Sequence, residues 1–157
     1  MNKTFHTIKT WLPAILWICC IFLLSTDYFS AEHTSRILEP LLRFLVPHIT
    51  AREIETVHFI VRKAAHMTEY CITSLLLFHS FRTTLPFQRH WRWVFYSLMI
   101  VIFVAGADEY HQSFVASRTS SVVDIGIDIV GGILGQGICI ALYRLRHTIK
   151  SRLISVD

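Results

Sequence analysis

Residues 107–128 read ADEYHQSFVASRTSSVVDIGID, and the reading of this stretch decides the fold. An apolar run from Trp91 to Val104 precedes it, and a second from Ile129 to Leu145 follows it. Asp108, Glu109, His111, Arg118 and Asp124, with Gln112 and Asp128 beside them, therefore sit where two membrane helices meet. A charge at a helix centre costs roughly 2.5–3.5 kcal/mol on insertion scales. A chain that holds several at one junction is expected to use them.

The chain around this stretch has 157 residues, 53% of them hydrophobic and 17% charged, and its mean hydropathy is +0.48. One soluble core of this size cannot bury so much apolar side chain, so the composition predicts an all-α polytopic membrane bundle. Four transmembrane helices are expected, at about 8–25, 57–79, 91–108 and 122–145, within a single domain covering 1–157.

Cations set the expected orientation. Lys3 and Lys9 precede the first span, Arg82, Arg89 and Arg92 lie between the second and third, and Arg144, Arg146, Lys150 and Arg152 follow the fourth. The positive-inside rule then makes both termini cytoplasmic and puts the 107–128 cluster on the outer face of a bacterial cytoplasmic membrane. Arg36, Arg43, Arg52, Arg62 and Lys63 in the first outer connection soften this asymmetry. The N-terminus has a basic start and an apolar run without a small-x-small cleavage pattern, which reads as an uncleaved anchor. Cys19, Cys20, Cys71 and Cys139 all lie in apolar stretches without metal-ligand spacing and read as small hydrophobes.

Beyond the first span comes a hydrophilic patch at 25–33 and then SRILEPLLRFLVPH. In it Ile37, Leu38, Leu41, Leu42 and Leu45 recur at helical spacing, with Arg36, Glu39 and Arg43 between them. This predicts a short helix in the outer interface, limited by Pro40 and Pro47. Thr50 followed by Glu53 fits a capping box, so a new helix is expected from Ala51. Running to His79 it reaches about 45 Å, more than the hydrocarbon core, and its first turns project outward with Glu53, Glu55 and His58. Trp11 and Trp91 are placed like interfacial anchors.

The second span carries RKAAHMTEY. Lys63, His66 and Tyr70 are spaced i, i+3, i+7, and Arg62, His66 and Glu69 are spaced i, i+4, i+7, so both sets lie along one helix face. Asp124 and Asp128 are i, i+4 near the start of the fourth span, where the helix dipole favours carboxylates. Three helices thus deliver polar groups to one depth, and the expected pocket lies between the second, third and fourth spans. Gly131 and Gly135 form a GxxxG pair below Asp128, a surface suited to close approach of helix backbones.

These residues resemble VanZ-like membrane proteins. RKAAHMTEY, DEYHQSFVASR and SVVDIGIDIVGGILG are similar in order and separation to that family's R-K-x-x-H-x-x-E-Y, D-E-x-x-Q-x-F-x-x-x-R and D-x-x-x-D-x-x-G-x-x-x-G patterns. The family takes its name from a protein linked to low-level resistance to teicoplanin, which acts on lipid-linked cell-wall precursors. The resemblance implies an envelope role, with Lys63, His66, Glu69, Glu109, Gln112, Arg118 and Asp124 as the family's polar positions. His111 departs from the pattern.

Chemistry leaves alternatives open at this stage. His66, Glu69, Glu109 and Asp124 suit acid/base catalysis, yet the same groups make a hydrogen-bond network that locks helices together in lipid. Arg62, Lys63, Tyr70, Asp108, Gln112, Arg118 and Asp128 are the candidate substrate-binding residues. Of these, Arg118 and Lys63 suit a phosphate or pyrophosphate and equally suit neutralising Asp124 and Glu109. His66, Glu69, Glu109, His111 and Asp124 supply donor types for a metal, but no HExxH or comparable spacing appears and no metal is expected.

No cofactor is specified by the residues, and no nucleic-acid module is present. The expected partner is a membrane lipid or a lipid-linked envelope precursor, either processed by hydrolysis or transfer at its phosphate, or served without turnover by a protein that shields it or assists an envelope assembly. A small proton or ion carrier using Asp128 is the third class, disfavoured by the lack of repeat symmetry.

Overall fold

A computed structural model describes residues 3–27, 31–85, 91–116, 118 and 120–154, with 31–33, 147 and 150–154 described by their backbone alone. Among them are five helices: α1 (Lys3–Leu24), α2 (Ala31–Leu45), α3 (Ala51–Thr84), α4 (Trp91–Gln112) and α5 (Val122–Ile154). Residues 28–30 of the hydrophilic patch, Arg89 of the basic turn and Ser117 of the 107–128 stretch lie outside the described residues, as do the side chains of Lys150 and Arg152.

α1, α4 and the Val122–Arg146 part of α5 are each long and apolar enough to cross a membrane. All are wider than the spans read from the sequence, because helix geometry continues past the lipid-like segment wherever the backbone can still bond internally. α3 also runs beyond the expected His79, to Thr84. Pro13 sits inside α1. Pro40 lies inside α2 and does not end it, so the helix stops only where Pro47 approaches. All four cysteines are free.

At the start of α3, Thr50 accepts a hydrogen bond from the Glu53 backbone N–H, and the Glu53 carboxylate accepts from the Thr50 N–H at 2.8 Å. The expected capping box is therefore present. Its buried stripe, His66, Tyr70, Thr73, Ser74, Leu77, Phe81, follows helical periodicity.

Pairings between side chains give the directions of the helices. α1 and α3 are antiparallel: the Ser80 hydroxyl donates to Thr10 O at 3.0 Å, Trp11 Nε1 to Thr84 Oγ1 at 3.2 Å and Trp17 Nε1 to Glu69 O at 3.0 Å. α3 and α5 are parallel, with Lys63 against Asp124, His66 against Asp128 and Ser74 against Gln136. α4 opposes α5, with Trp93 near Tyr143, and Ser121 N–H, just before α5, bonded to the Glu109 carboxylate. Gln112 and Ser25 meet at the C-terminal ends of α4 and α1, which therefore run the same way. The result is an up-down-up-down bundle with α3 packed against every other helix.

The tightest crossing is α3 on α5. A Cβ on Gly135 would stand 2.6 Å from Cys71 O and 2.9 Å from Ser74 Cβ, and one on Gly131 would collide with Met67 O. Small residues here let the two backbones touch. Polar side chains then tie the contact, with Ser74 Oγ donating to Gly132 O and Gln136 Nε2 donating to Ser74 Oγ, both at 2.7 Å.

Below the polar region an apolar core forms from Ile21, Tyr70, Leu77, Val101 and Val104. Trp91 is exposed, as an anchor would be, but Trp11 meets Phe81 edge-on at 4.9 Å and Trp93 is buried against Phe78. These two rings cement helix contacts.

Candidate functional site

Two polar regions adjoin at the end of the bundle where α1 and α4 finish. The first is a buried core between α3, α4 and α5. Asp108, Gln112, Asp128 and Tyr70 are fully buried, with Glu109 and Asp124 nearly so. Gln112 Nε2 donates to Asp108 Oδ2 at 2.9 Å and to Ser25 Oγ at 3.4 Å. Lys63 pairs with Asp124 across α3 and α5. Glu109 accepts the Ser121 N–H at 2.8 Å and so holds the loop that leads into α5.

The second region is a cavity of about 210 Å³ whose walls come from α1, α2, α3 and Arg118. Arg62, Arg118, His58, His66 and Glu69 supply its polar groups. Leu24, Leu38, Val61 and Ala65 supply apolar wall, and Ser25 stands at the end of α1. This cavity stands beside the expected location between α3, α4 and α5, which the buried polar core occupies. The glycine contact closes α3 onto α5, whereas the short α2 covers only the N-terminal part of α3 and leaves space beneath it.

His66 belongs to both regions. It lines the cavity, it is 7% exposed, and its Nδ1 lies 3.2 Å from Asp128 Oδ1 in the buried core. With Asp128 as a carboxylate and the ring neutral, Nδ1 carries the proton and Nε2 presents a lone pair. Asp128 is fully buried and does not line the cavity.

Arg118 is the cation that links the loop to the cavity. Its Nη2 donates to Leu24 O at 2.6 Å and to Thr26 O at 3.4 Å, which fastens the loop between α4 and α5 to the end of α1. Burial pushes its pKa below the ordinary arginine value, and the like charge of Arg62 adds to that, while Asp108, Glu69 and Glu109 oppose it. Two guanidinium groups near one another in a half-buried site favour an anion between them.

The tertiary structure thus sorts the candidate residues. Arg62, His66, Glu69 and Arg118 share the cavity. Lys63, Tyr70, Asp108, Glu109, Gln112, Asp124 and Asp128 do not line it and form the supporting core. Lys63 neutralises Asp124, as one of the two sequence readings has it, and Glu109 bonds a backbone amide. His111 rests edge-on against Phe22, with ring centroids 5.9 Å apart. Among the described residues no three His, Cys, Asp or Glu side chains are grouped to hold a metal.

His58 was not among the candidates, though its Nε2 is buried without a hydrogen-bond partner and it lines the cavity. The signal was present in the spacing, since 58, 62, 66 and 69 form one i, i+4, i+8, i+11 stripe on α3. Gln136 and Ser74 were also missed, because their pairing depends on the helix crossing.

A family model described as VanZ/LLP1 matches residues 10–144. No curated protein and no solved structure matches the chain.

Proposed function

The chain belongs to the VanZ-like family, and from that premise we propose that it binds the phosphate of a lipid-linked glycan or similar headgroup in the α1–α2–α3 cavity and processes it there. One observation carries this reading. His66 is braced by a buried carboxylate on one side and opens on the other into a cavity that holds Arg62, Arg118 and Glu69.

Topology supports a lipid substrate. α1 and α4 run in the same direction, so if both cross a membrane, the chain between them must cross back, and α3 is the helix that connects their opposite ends. Its His66, Thr73, Ser74 and Ser80 turn inward, which supports α3 as a fourth crossing beside the three apolar ones. α2 then lies in the interface, with Ile37, Leu41, Phe44 and Leu45 exposed along one face. Cations at the opposite end of the bundle support a reading in which that end and both termini are cytoplasmic and the cavity opens at the outer leaflet of the cytoplasmic membrane.

In this reading Arg62 and Arg118 hold the phosphate oxygens, and apolar wall from Leu24, Leu38 and Val61 meets the lipid part. His66 Nε2 takes a proton from an attacking water as the new P–O bond forms, and Asp128 steadies the resulting imidazolium. The departing oxygen takes its proton from His66 or from Glu69. Altered precursor lipids would account for a teicoplanin phenotype. Binding that shields the precursor without turnover uses the same cations and is the other outcome of the test.

The test uses purified protein in nanodiscs with an undecaprenyl-pyrophosphate-linked sugar, following both binding and phosphate release. Arg62→Gln is expected to weaken binding about tenfold. His66→Gln is expected to retain binding and lose turnover. Turnover that survives in His66→Gln removes the acid/base role, and binding without turnover in the unaltered protein favours shielding. Unchanged binding in Arg62→Gln and Arg118→Gln sinks the cavity as the site.

A further inference from the structure

At the far end of the bundle from the cavity, α3 and α5 separate around a cleft of about 110 Å³. Leu75, Phe78 and Leu142 give it apolar walls, and Arg82, Arg146 and His79 stand at its rim. The Arg82 guanidinium lies 5.9 Å from the centre of the Tyr143 ring, which fixes one cation over the cleft. Ile138, Leu142 and Leu145 continue the apolar face of α5 and are exposed, as lipid-facing side chains are.

Carboxylates are unevenly placed along the chain, whereas cations occur near both ends of the bundle. No Asp or Glu occurs between Glu69 and Asp108 or between Asp128 and Asp157. The segments forming this end carry Arg82, Arg92, Arg144 and Arg146 with no carboxylate among them. Topology-setting charge needs only cations near the membrane. A cleft with apolar walls, a cation braced on an aromatic ring and a second arginine across it has the form of a headgroup site.

We propose that this cleft binds an anionic phospholipid, its phosphate between Arg82 and Arg146 and its acyl chain along Leu75 and Leu142. The site is separate from the cavity at the other end and does not depend on what that cavity binds. A free phosphate meets the same guanidinium groups but makes no use of the apolar walls.

Native mass spectrometry of the detergent-purified full chain, titrated with phosphatidylglycerol, phosphatidylcholine or inorganic phosphate, tests this. The unaltered protein is expected to keep one phosphatidylglycerol at least tenfold more tightly than phosphatidylcholine. Arg82→Gln/Arg146→Gln should lose that preference, while Lys9→Gln/Arg144→Gln, with the same charge change at the same end, should keep it. Circular dichroism confirms that each variant is folded, and Arg82→Lys serves where the double variant is not. That substitution keeps the charge, loses the paired donors, and is expected to weaken retention severalfold. Equal losses in the cleft and control pairs, equal retention of the two lipids, or displacement of phosphatidylglycerol by millimolar phosphate overturns the proposal.

Discussion

His66 Nδ1 lies 3.2 Å from Asp128 Oδ1, and this contact joins the helix that lines the cavity to a carboxylate the cavity does not touch. An aspartate in that place sets the tautomer and orientation of the ring without reaching the cavity. If the proposed hydrolysis is right, Asp128→Asn is expected to leave the fold and ligand binding near those of the unaltered protein and to lower phosphate release by about 10²-fold or more. Asp128→Ala leaves the buried Nδ1 unpaired, with a loss of roughly 1–3 kcal/mol in stability. Thermal unfolding in detergent beside the nanodisc turnover assay separates the two effects.

Gly135 and Gly131 are where α5 touches the α3 backbone. Gly135→Ala places a methyl against Cys71 O and Ser74 Cβ, neither of which is the loose end of a side chain, and should destabilise by roughly 1–3 kcal/mol. Gly137→Ala meets nothing within 4 Å and should be neutral or stabilise by up to about 1 kcal/mol through helix propensity. If the two variants melt together, the close crossing is not what holds these helices.

Lys63 and Asp124 form an ion pair in which the Lys63 side chain is 22% and the Asp124 side chain 4% exposed. Lys63→Met removes the partner of a nearly buried carboxylate and should cost roughly 1–3 kcal/mol, less than a fully enclosed pair because water still reaches the lysine. Adding Asp124→Leu should recover much of that loss. A double variant as unstable as the single one would show that Lys63 stabilises by packing and not by pairing.

Glu53 senses acid at the start of α3. Hydrogen bonds from the Thr50 backbone and hydroxyl hold its carboxyl below the ordinary glutamate value. A lowered folded-state pKa means the cap's contribution is present above the unfolded value and is lost as pH falls through the folded one. Hydrogen exchange of the first turn of α3 should therefore rise, once corrected for intrinsic rates, as pH drops below about 4. Glu53→Gln, which keeps acceptor geometry without the charge, should abolish that pH step.

Much of this was readable along the chain because it is local. Helix periodicity, the Thr50–Glu53 cap, the apolar lengths of α1, α4 and α5 and the cost of polar groups in lipid depend on neighbours a few residues apart. The sequence alone therefore determined an all-helical, membrane-type bundle and family membership, and it picked out most of the polar side chains at one end.

Tertiary structure decided which of those side chains share a space. Lys63 and His66 sit three residues apart on α3, yet Lys63 pairs with Asp124 while His66 also lines the cavity. Glu109, a candidate acid, became a brace for the Ser121 amide, and His58 joined the cavity. The physical reason is that voids arise where interfaces fail to close. Gly131 and Gly135 close α3 on α5, and the short reach of α2 leaves the opening on the opposite side. No spacing within a single helix records which of its neighbours stands back.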